Sequence, residues 1–210
     1  MVAFPFPFAT PRVLKSAHQF DSFSLSCQKW MGVRFPVSYL NKNRVIGFYT
    51  RNQKLVGGFA LITQPPFRVI ESLPPEALSK FNSLNFPPHS LFEITGLWLH
   101  PEYKNRIANV FFYLTIYKEI LFLRRPYFIY AFSSSKPKLG QLYSVAQPVT
   151  IYCGPTQILP GMDCADDEVI QVGSVEALNR VWLSNPGFLL KRLRRSRSAS
   201  FYQPLPDVET

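Results

Sequence analysis

The chain has 210 residues, of which 47% are hydrophobic, 15% aromatic and only 17% charged. A chain of this size can bury roughly 70% of its unfolded surface, so this composition excludes wholesale disorder, a collagen-like fibre and a disulfide-stapled miniprotein. The three cysteines, Cys27, Cys153 and Cys164, cannot all pair, and none lies in a Cys-x-x-Cys motif. A reducing, cytoplasmic setting is the simpler interpretation.

The net charge of +10 indicates an anionic partner, and its distribution along the chain shows where that partner would bind. Residues 1–160 hold 17 basic and 6 acidic residues, whereas residues 161–210 hold 6 basic and 7 acidic residues. The excess of positive charge therefore belongs to the predicted folded body and not to the C-terminal end.

We predict a single domain over residues 1–187, followed by a polar, disordered basic tail over residues 188–210. The basic run Arg194–Ser200 favours a merely solvated tail, because nearby acidic residues cancel its charge; phosphorylation or contact with nucleic acid or lipid is the alternative. No targeting segment is predicted, since Met1–Thr10 lacks a positive charge before its apolar residues. The longest apolar stretch, Ile107–Leu123, contains two charged residues and falls short of a bilayer span, which predicts a soluble protein.

Hydrophobic periodicity predicts the elements of the first half of the chain. Phe20, Phe23, Cys27 and Trp30 recur at helical spacing, which indicates an amphipathic helix that ends before Gly32. Four polar residues separate two β-rich runs, a pattern typical of a hairpin. The predicted elements are a short strand at Arg12–Leu14, a helix at Phe20–Met31, strands at Arg44–Thr50 and Leu55–Ile62, and a short helix at Pro75–Phe81.

The strand predicted at Phe92–His100 changes phase at Gly96. Its apolar residues fall on even numbers before this glycine and on odd numbers after it, so the two-residue period slips by one. A β-bulge at Thr95–Gly96 would return the apolar side chains of both halves to one buried face. The sequence therefore predicts a bulged strand.

The second half of the chain predicts a parallel pair of strands. A long apolar helix follows the bulged strand, and the unbroken apolar run after it is typical of a strand buried on both faces. Strand, crossover helix and strand form a βαβ unit, whose strands are parallel and whose crossover is right-handed. The predicted elements are a helix at Ile107–Phe122, a strand at Tyr127–Phe132, a short helix with Leu139, Leu142, Tyr143 and Ala146 on one face, strands at Val149–Cys153 and Glu168–Val172, and a helix capped by Ser174 that carries Val175, Leu178 and Trp182.

This order of elements and two short motifs resemble the GNAT superfamily of acyltransferases over residues 10–173. The family's hydrophobic strand and His-Pro-Glu-Tyr-Arg signature are similar to Leu97-Trp98-Leu99-His100-Pro101-Glu102-Tyr103-Lys104. The helix after the family's fifth strand resembles Lys138-Leu139-Gly140-Gln141-Leu142-Tyr143. The resemblance implies an α/β (α+β) fold with a mixed central sheet, flanked by helices, whose bulged fourth strand is splayed from the fifth.

The resemblance also implies a donor site. In the family the pantetheine arm of an acyl thioester enters the gap between the splayed strands, so a backbone N–H of Leu97 or Leu99 is expected to donate to the thioester carbonyl. Ser133 and Ser134 are expected to contact pantetheine or the acceptor, or alternatively to cap the next helix. The implied donor is acyl-CoA or the acyl-phosphopantetheine thioester of an acyl carrier protein, with no metal.

The loop that holds the pyrophosphate of coenzyme A in the family differs here. The family loop reads Arg/Gln-x-x-Gly-x-Gly/Ala and places its amides at a helix N-terminus. The corresponding residues, all candidates for donor binding, are Lys104, Asn105, Arg106, Ile107, Ala108 and Asn109. Ile107 and Asn109 stand in place of small residues, while Lys104 and Arg106 remain as cations for a phosphate. Two outcomes fit: an acyl carrier protein replaces coenzyme A, or the cofactor site is lost.

Two side chains are candidates for proton transfer. Glu93, on the bulged strand, resembles a general base of several family members, which deprotonates the acceptor amine; the alternative is a carboxylate that faces solvent or pairs with an arginine. Tyr143 matches the family tyrosine that protonates the departing thiolate; the alternative is a core tyrosine. We expect His100 to be structural and Cys153 to be a small core residue, and the His and Cys spacing indicates no zinc site.

These observations predict a GNAT-type N-acyltransferase that moves an acyl group from a thioester to a small-molecule amine. The basic body suits an acidic acyl carrier protein as the partner. The alternative is a non-catalytic GNAT-like module that binds an acidic protein or nucleic acid, prompted by the missing glycines; nucleic acid is the less favoured partner.

Overall fold

A seven-stranded mixed sheet forms the centre of the molecule. The computed structural model describes residues 9–87 and 89–184, so the predicted tail lies outside the described residues. The strands are β1 (Thr10–Val13), β2 (Arg44–Tyr49), β3 (Leu55–Ile62), β4 (Leu91–Leu99), β5 (Tyr127–Ser133), β6 (Val149–Pro155) and β7 (Asp167–Ser174), in the spatial order β1-β2-β3-β4-β5-β7-β6. The β4–β5 pair is parallel and the other neighbouring pairs are antiparallel. The predicted mixed sheet and parallel βαβ unit are confirmed.

Helices cover both faces of this sheet. In the described part of the chain they are α1 (Ala17–Met31), α2 (Val37–Leu40), α3 (Arg68–Glu71), α4 (Pro75–Ser83), α5 (Arg106–Leu123), α6 (Pro137–Tyr143) and α7 (Val175–Ser184). α1 begins three residues before its predicted start because Ser16 and Gln19 form a capping box, and it ends at Gly32 as predicted. Periodicity missed α2 and α3, because four residues are too few to show a helical repeat.

The core consists of two layers, one on each face of the sheet. α5, with α6 and α7 beside it, packs on the face that we call the α5 face, against a cluster rich in aromatic rings that includes Phe48, Phe59, Phe92 and Phe128. The opposite face, which we call the α1–α4 face, is covered by the first four helices. Burial of each large apolar side chain stabilises the fold by about 1.5–3 kcal/mol, so these layers fix the sheet between the helices.

β4 contains the predicted bulge. Thr95 pairs with Ala60 and Trp98 pairs with Gly58, so β4 uses one more residue than β3 between these two pairs. The extra residue resets the alternation of side chains. The apolar residues on both sides of the bulge therefore pack on the α5 face, as the phase slip predicts: Phe92, Ile94, Leu97 and Leu99.

Gly96 makes the bulge feasible for two physical reasons. Its φ is +63°, a left-handed conformation that side chains with a Cβ rarely adopt. A Cβ at this position would also lie 3.0 Å from the ring of Phe23, which α1 presses against the strand. The bulge and the packing of α1 therefore both require glycine.

β4 and β5 separate just before the bulge. Their parallel ladder joins Leu91–Glu93 to Tyr127–Ile129, whereas β5 remains paired with β7 as far as Ser133. Among the described residues, β4 beyond Glu93 pairs with β3 alone, and a gap opens between β4 and β5. The predicted splayed pair is confirmed.

One core assignment was wrong. Cys153 lies on β6 and is exposed, because β6 is the outermost strand of the sheet and has a neighbour on one side only. Within residues 9–87 and 89–184, none of the helices has both the length and the apolar character needed to cross a bilayer.

Candidate functional site

The gap between β4 and β5 exposes main-chain groups of β4. The amide of His100 donates to the carbonyl of Val56 at 2.8 Å, which places His100 in the ladder with β3. Because main-chain groups alternate in direction along a strand, the amide of Leu99 points away from β3 and toward the gap. Leu97 lies next to the bulge. A carbonyl oxygen held beside Leu99 would receive a hydrogen bond of the kind that stabilises an oxyanion.

Glu93 stands where the gap begins, with its side chain on the α1–α4 face, and it is fully buried. The Tyr39 hydroxyl of α2 donates to its Oε1 at 3.2 Å. The Val69 amide of α3 donates to its Oε2 at 3.2 Å. The alternative of a solvent-facing carboxylate is therefore wrong, because β4 is a central strand covered by helices. Arg68 lies close by, but its guanidinium donates to the carbonyl of Pro160 at 2.9 Å.

The environment of Glu93 changes its affinity for protons. Burial raises the pKa of Glu93 from its ordinary value of 4.5 to about 7, against the opposing effects of the Val69 amide, the Tyr39 hydroxyl, and the charge and backbone amide of Arg68. Burial and the charge of Glu93 raise the pKa of Tyr39 far above its ordinary value, so the phenol stays protonated. A carboxylate that titrates near neutrality suits a general base at physiological pH.

Tyr143 lies on the α5 face, on the other side of the sheet from Glu93. It is the last residue of α6, half-buried, and its ring packs edge-on against Tyr130 at 4.9 Å and against Phe132 at 5.5 Å. This packing would also suit a core tyrosine, so its role as an acid remains a prediction. The two candidates for proton transfer therefore lie on opposite faces of the sheet.

The loop predicted to hold the donor leads into α5. Asn105 caps this helix, with its Oδ1 accepting from the Ala108 amide at 2.9 Å, and the Asn109 amide donates to the Asn105 carbonyl. An amide that a phosphate would use is therefore already bonded. The Ile107 side chain is 56% exposed at this end of the helix. The side chain of Arg106 lies outside the described residues.

Lys104, in the same loop, is close to a lysine that motif reasoning missed. Burial and the positive charge of Lys136 lower the pKa of Lys104. Lys104 follows β4 and Lys136 follows β5, so the two ammonium groups come from the loops after the two splayed strands. Their proximity favours binding of an anion at the mouth of the gap. In the sequence, Lys136 is marked only by its position directly after the Ser133–Ser135 run, which is a weak signal for a binding residue.

Comparison with known proteins identifies the fold. No protein-family model matches the chain, and no curated protein matches it in sequence. FeeM, an N-acyl amino acid synthase from uncultured soil microbes, matches with a TM-score of 0.54 and 11% identity over 80% of this chain and 90% of its own. A GCN5-related N-acetyltransferase from Brucella melitensis matches with a TM-score of 0.52 and 11% identity over 89% and 84% of the two chains. The structure of yncA from Salmonella typhimurium with its cofactor acetyl-CoA matches with a TM-score of 0.50 and 8% identity over 80% and 94%.

The chain has the GNAT fold. The resemblance read from its motifs is thereby confirmed at the level of architecture. The function of the chain depends on the chemistry of its own residues.

A strap, which we define as residues 156–166 between β6 and β7, crosses the α1–α4 face of this GNAT fold. It is bonded to Arg68 of α3, to Ser72 directly after α3, and to Gly32 and Arg34 in the turn between α1 and α2. Its hydrogen bonds run from Arg68 Nη2 to the Pro160 carbonyl at 2.9 Å, from the Gln157 amide to the Ser72 carbonyl at 2.9 Å, from the Arg34 amide to the Gly161 carbonyl at 2.6 Å, and from the Asp163 amide to the Gly32 carbonyl at 3.1 Å. The strap is therefore tied to elements on the face on which Glu93 lies.

Ser133 bonds to the last residue of this strap, and Ser134 bonds to the first residue of β7. The Ser133 hydroxyl donates to Asp166 Oδ1 at 3.1 Å, and the Ser134 amide donates to the carbonyl of Asp167 at 2.7 Å. α6 begins after Lys136 with no side-chain cap, so the alternative that the serines cap this helix is wrong. Their contact with pantetheine or the acceptor remains a prediction.

His100 stabilises the turn after β4. Its Nδ1 accepts from the Glu102 amide at 3.3 Å, which caps the 3-10 turn Pro101–Tyr103. Its ring packs edge-on against Trp30 at 5.0 Å. This role is structural, as predicted. Among residues 9–87 and 89–184, no group of three or more His, Cys, Asp and Glu side chains is placed to hold a metal ion.

Proposed function

We propose that the chain is an N-acyltransferase that moves an acyl group from a thioester to an amine. The observation that carries this proposal is Glu93, a buried carboxylate with a pKa of about 7 at the start of a gap between two strands. Tyr143 packs on Tyr130 and Phe132 of β5 on the other face, and the Leu99 amide points into the gap. The names of two proteins with the same fold, an N-acyl amino acid synthase and an N-acetyltransferase, support this class of reaction.

Each group has a defined step in the proposed reaction. The lone pair of the amine forms a bond to the thioester carbonyl carbon, and the Leu99 N–H stabilises the negative charge that develops on the oxygen. Glu93 receives the proton that the amine loses. The carbon–sulfur bond then breaks, and Tyr143 donates a proton to the departing thiolate. Exchange with solvent returns the proton from Glu93 and restores Tyr143.

We infer that the donor is carried by an acyl carrier protein. The pyrophosphate of coenzyme A would need several free amides at the start of α5, where Asn105 instead bonds the Ala108 amide. Lys104 and Lys136 supply positive charge for the single phosphate of a carrier-bound phosphopantetheine. The excess of basic over acidic residues in the body would attract an acidic carrier.

The activity is tested by incubating the full chain with acetyl-CoA, dodecanoyl-CoA or dodecanoyl-acyl carrier protein, together with amines that range from amino acids to polyamines. Mass spectrometry detects the N-acyl product, and a thiol reagent detects the released thiol. Because Cys153 and Cys164 are exposed, the thiol assay uses a variant with serine at both positions.

We expect an N-acyl product and an equal amount of thiol. Glu93→Gln should lower kcat/KM by about 100-fold, while the matched control Glu76→Gln, on the exposed side of α4, should leave it unchanged. No product with any donor would overturn the proposed activity. A faster rate with the carrier thioester that falls as salt rises would support the carrier; equal use of the CoA thioesters, insensitive to salt, would refute it.

A further inference from the structure

Glu93 is inaccessible to a substrate in this structure. It is fully buried, and each of its carboxylate oxygens already accepts a hydrogen bond. An amine that enters the gap must therefore pass its proton to Glu93 through another group. The donor to Oε2 is the Val69 amide, which cannot give up its proton under physiological conditions. The donor to Oε1 is the Tyr39 hydroxyl, which can exchange a proton in both directions.

We propose that Tyr39 relays the proton of the acceptor amine to Glu93. This inference rests on the proposed acyl transfer and adds a residue from a helix that periodicity did not predict. The Tyr39 O–H already donates to Glu93 Oε1 at 3.2 Å, in the direction that the relay requires. Tyr39 is only partly buried, whereas Glu93 is fully buried, so Tyr39 is the more accessible of the two proton-carrying groups.

Two sets of contacts hold Tyr39 in place. Its ring stacks on Phe35 with centroids 6.1 Å apart and an angle of 10° between the planes. Its carbonyl accepts from Asn43 Nδ2 at 2.8 Å, and Asn43 Oδ1 accepts from the Thr63 amide at 2.8 Å. α2 is thereby tied to the end of β3, next to the residue that pairs with Glu93. A group fixed in this way is preorganised for proton transfer.

The relay is balanced in atoms and charge. As the amine nitrogen bonds to the carbonyl carbon, its proton moves to Tyr39 Oη, and the proton of Tyr39 moves to Glu93 Oε1. Tyr39 is a neutral phenol before and after the step, and the carboxylate becomes a carboxylic acid. The reverse transfer to solvent resets Glu93 for the next turnover.

The groups that act on Glu93 come from α2 and α3. Tyr39 is the titratable group from α2, and Arg68 is the charged group from α3. The strands on either side contribute Ile62 from β3 and Ile129 from β5, which carry no charge. A change in the pH profile after mutation of Tyr39 therefore reports on Glu93 with Arg68 held constant.

The experiment compares Tyr39→Phe with the unchanged chain, using the donor and amine that give product in the first assay. Phenylalanine keeps the stacking on Phe35 and removes the hydroxyl alone. Tyr117→Phe is the matched control, because it removes one hydroxyl bond, to Asn179 Oδ1 at 2.8 Å, between α5 and α7. kcat/KM is measured from about pH 5.5 to about pH 9, a range that spans the titration of Glu93. The urea midpoint of unfolding is measured for each variant.

We expect Tyr39→Phe to lower the plateau of kcat/KM by about 100-fold. The midpoint of the profile should also move to higher pH, because the lost hydrogen bond favours the ionised carboxylate. The double variant with Glu93→Gln should be no slower than Glu93→Gln alone, since both changes break one pathway. Tyr117→Phe should leave plateau and midpoint unchanged.

Three results would overturn the relay. A plateau within about twofold of the unchanged chain would reduce Tyr39 to a structural role, even if the midpoint moves. Multiplicative effects in the double variant would show that the two residues act independently. A large effect of Glu93→Gln with none of Tyr39→Phe would refute the relay and leave the acyl transfer intact, whereas absence of turnover in the unchanged chain would refute both.

Discussion

Replacement of Glu93 with glutamine should remove a pH dependence from the stability of the fold. The pKa of Glu93 is about 7 in the folded chain, against an ordinary value of 4.5. Between these two pH values the folded state binds a proton that the unfolded state has released, so the free energy of unfolding falls as pH rises. Each pH unit in that window contributes about 1.4 kcal/mol, and the total loss from Glu93 by pH 7 is therefore about 3 kcal/mol. The residue is fully buried, so solvent screening does not reduce this figure.

The assay is urea unfolding of the unchanged chain, Glu93→Gln and the exposed control Glu76→Gln at pH values below, within and above that window. Glutamine mimics the protonated acid, so the free energy of unfolding of Glu93→Gln should match that of the unchanged chain near pH 4.5. At pH 7 it should be higher than that of the unchanged chain by about 3 kcal/mol. Glu76→Gln should follow the unchanged chain throughout. Parallel curves for Glu93→Gln and the unchanged chain would refute the reasoning, because Glu93 would then ionise in the folded state as readily as in water.

Three further substitutions test other parts of the structure. Gly96→Ala should lower the free energy of unfolding by about 2 kcal/mol or more, since alanine is strained at φ +63°. The control Gly140→Ala, whose added Cβ makes ordinary contacts in α6, should change the free energy of unfolding by less than about 1 kcal/mol. Similar urea midpoints for the two variants would contradict the bulge geometry. Tyr143→Phe should slow product formation by about 100-fold, a loss that donors with more acidic thiols should partly restore; full activity would leave Tyr143 as a core residue. Gly161→Ala should speed hydrogen exchange at the Arg34 amide, because a Cβ would overlap the Arg34 carbonyl, and unaltered exchange there would show that the strap adapts.

The elements of this fold were predictable because their signals are local. The strand Leu55–Ile62 was predicted with the bounds that the structure has, and the helix that ends at Gly32 was predicted from its apolar period and its glycine stop. The bulge was predicted from a slip in the two-residue period at Gly96, since a strand that buries one face can change phase only by inserting a residue. These features depend on neighbours within about ten residues.

Features that depend on contacts across the fold were not predictable in the same way. The exposure of Cys153 follows from the outermost place of β6 in the sheet, which the pattern of a single strand does not reveal. Lys104 and Lys136 belong to separate loops, and the splayed strands bring their charges together. In each case the decisive quantity is the position of one element relative to another.

Glu93 shows the division most clearly. By itself, the sequence determined that a carboxylate lies on a bulged strand before a splayed gap, because side-chain alternation and the resemblance to GNAT proteins are properties of the chain. Only the tertiary structure decided that this carboxylate is buried, that Tyr39 and Val69 occupy its two oxygens, and that its pKa is about 7. The physical reason is that desolvation and hydrogen bonding act through space, and Tyr39 is 54 residues away from Glu93 along the chain.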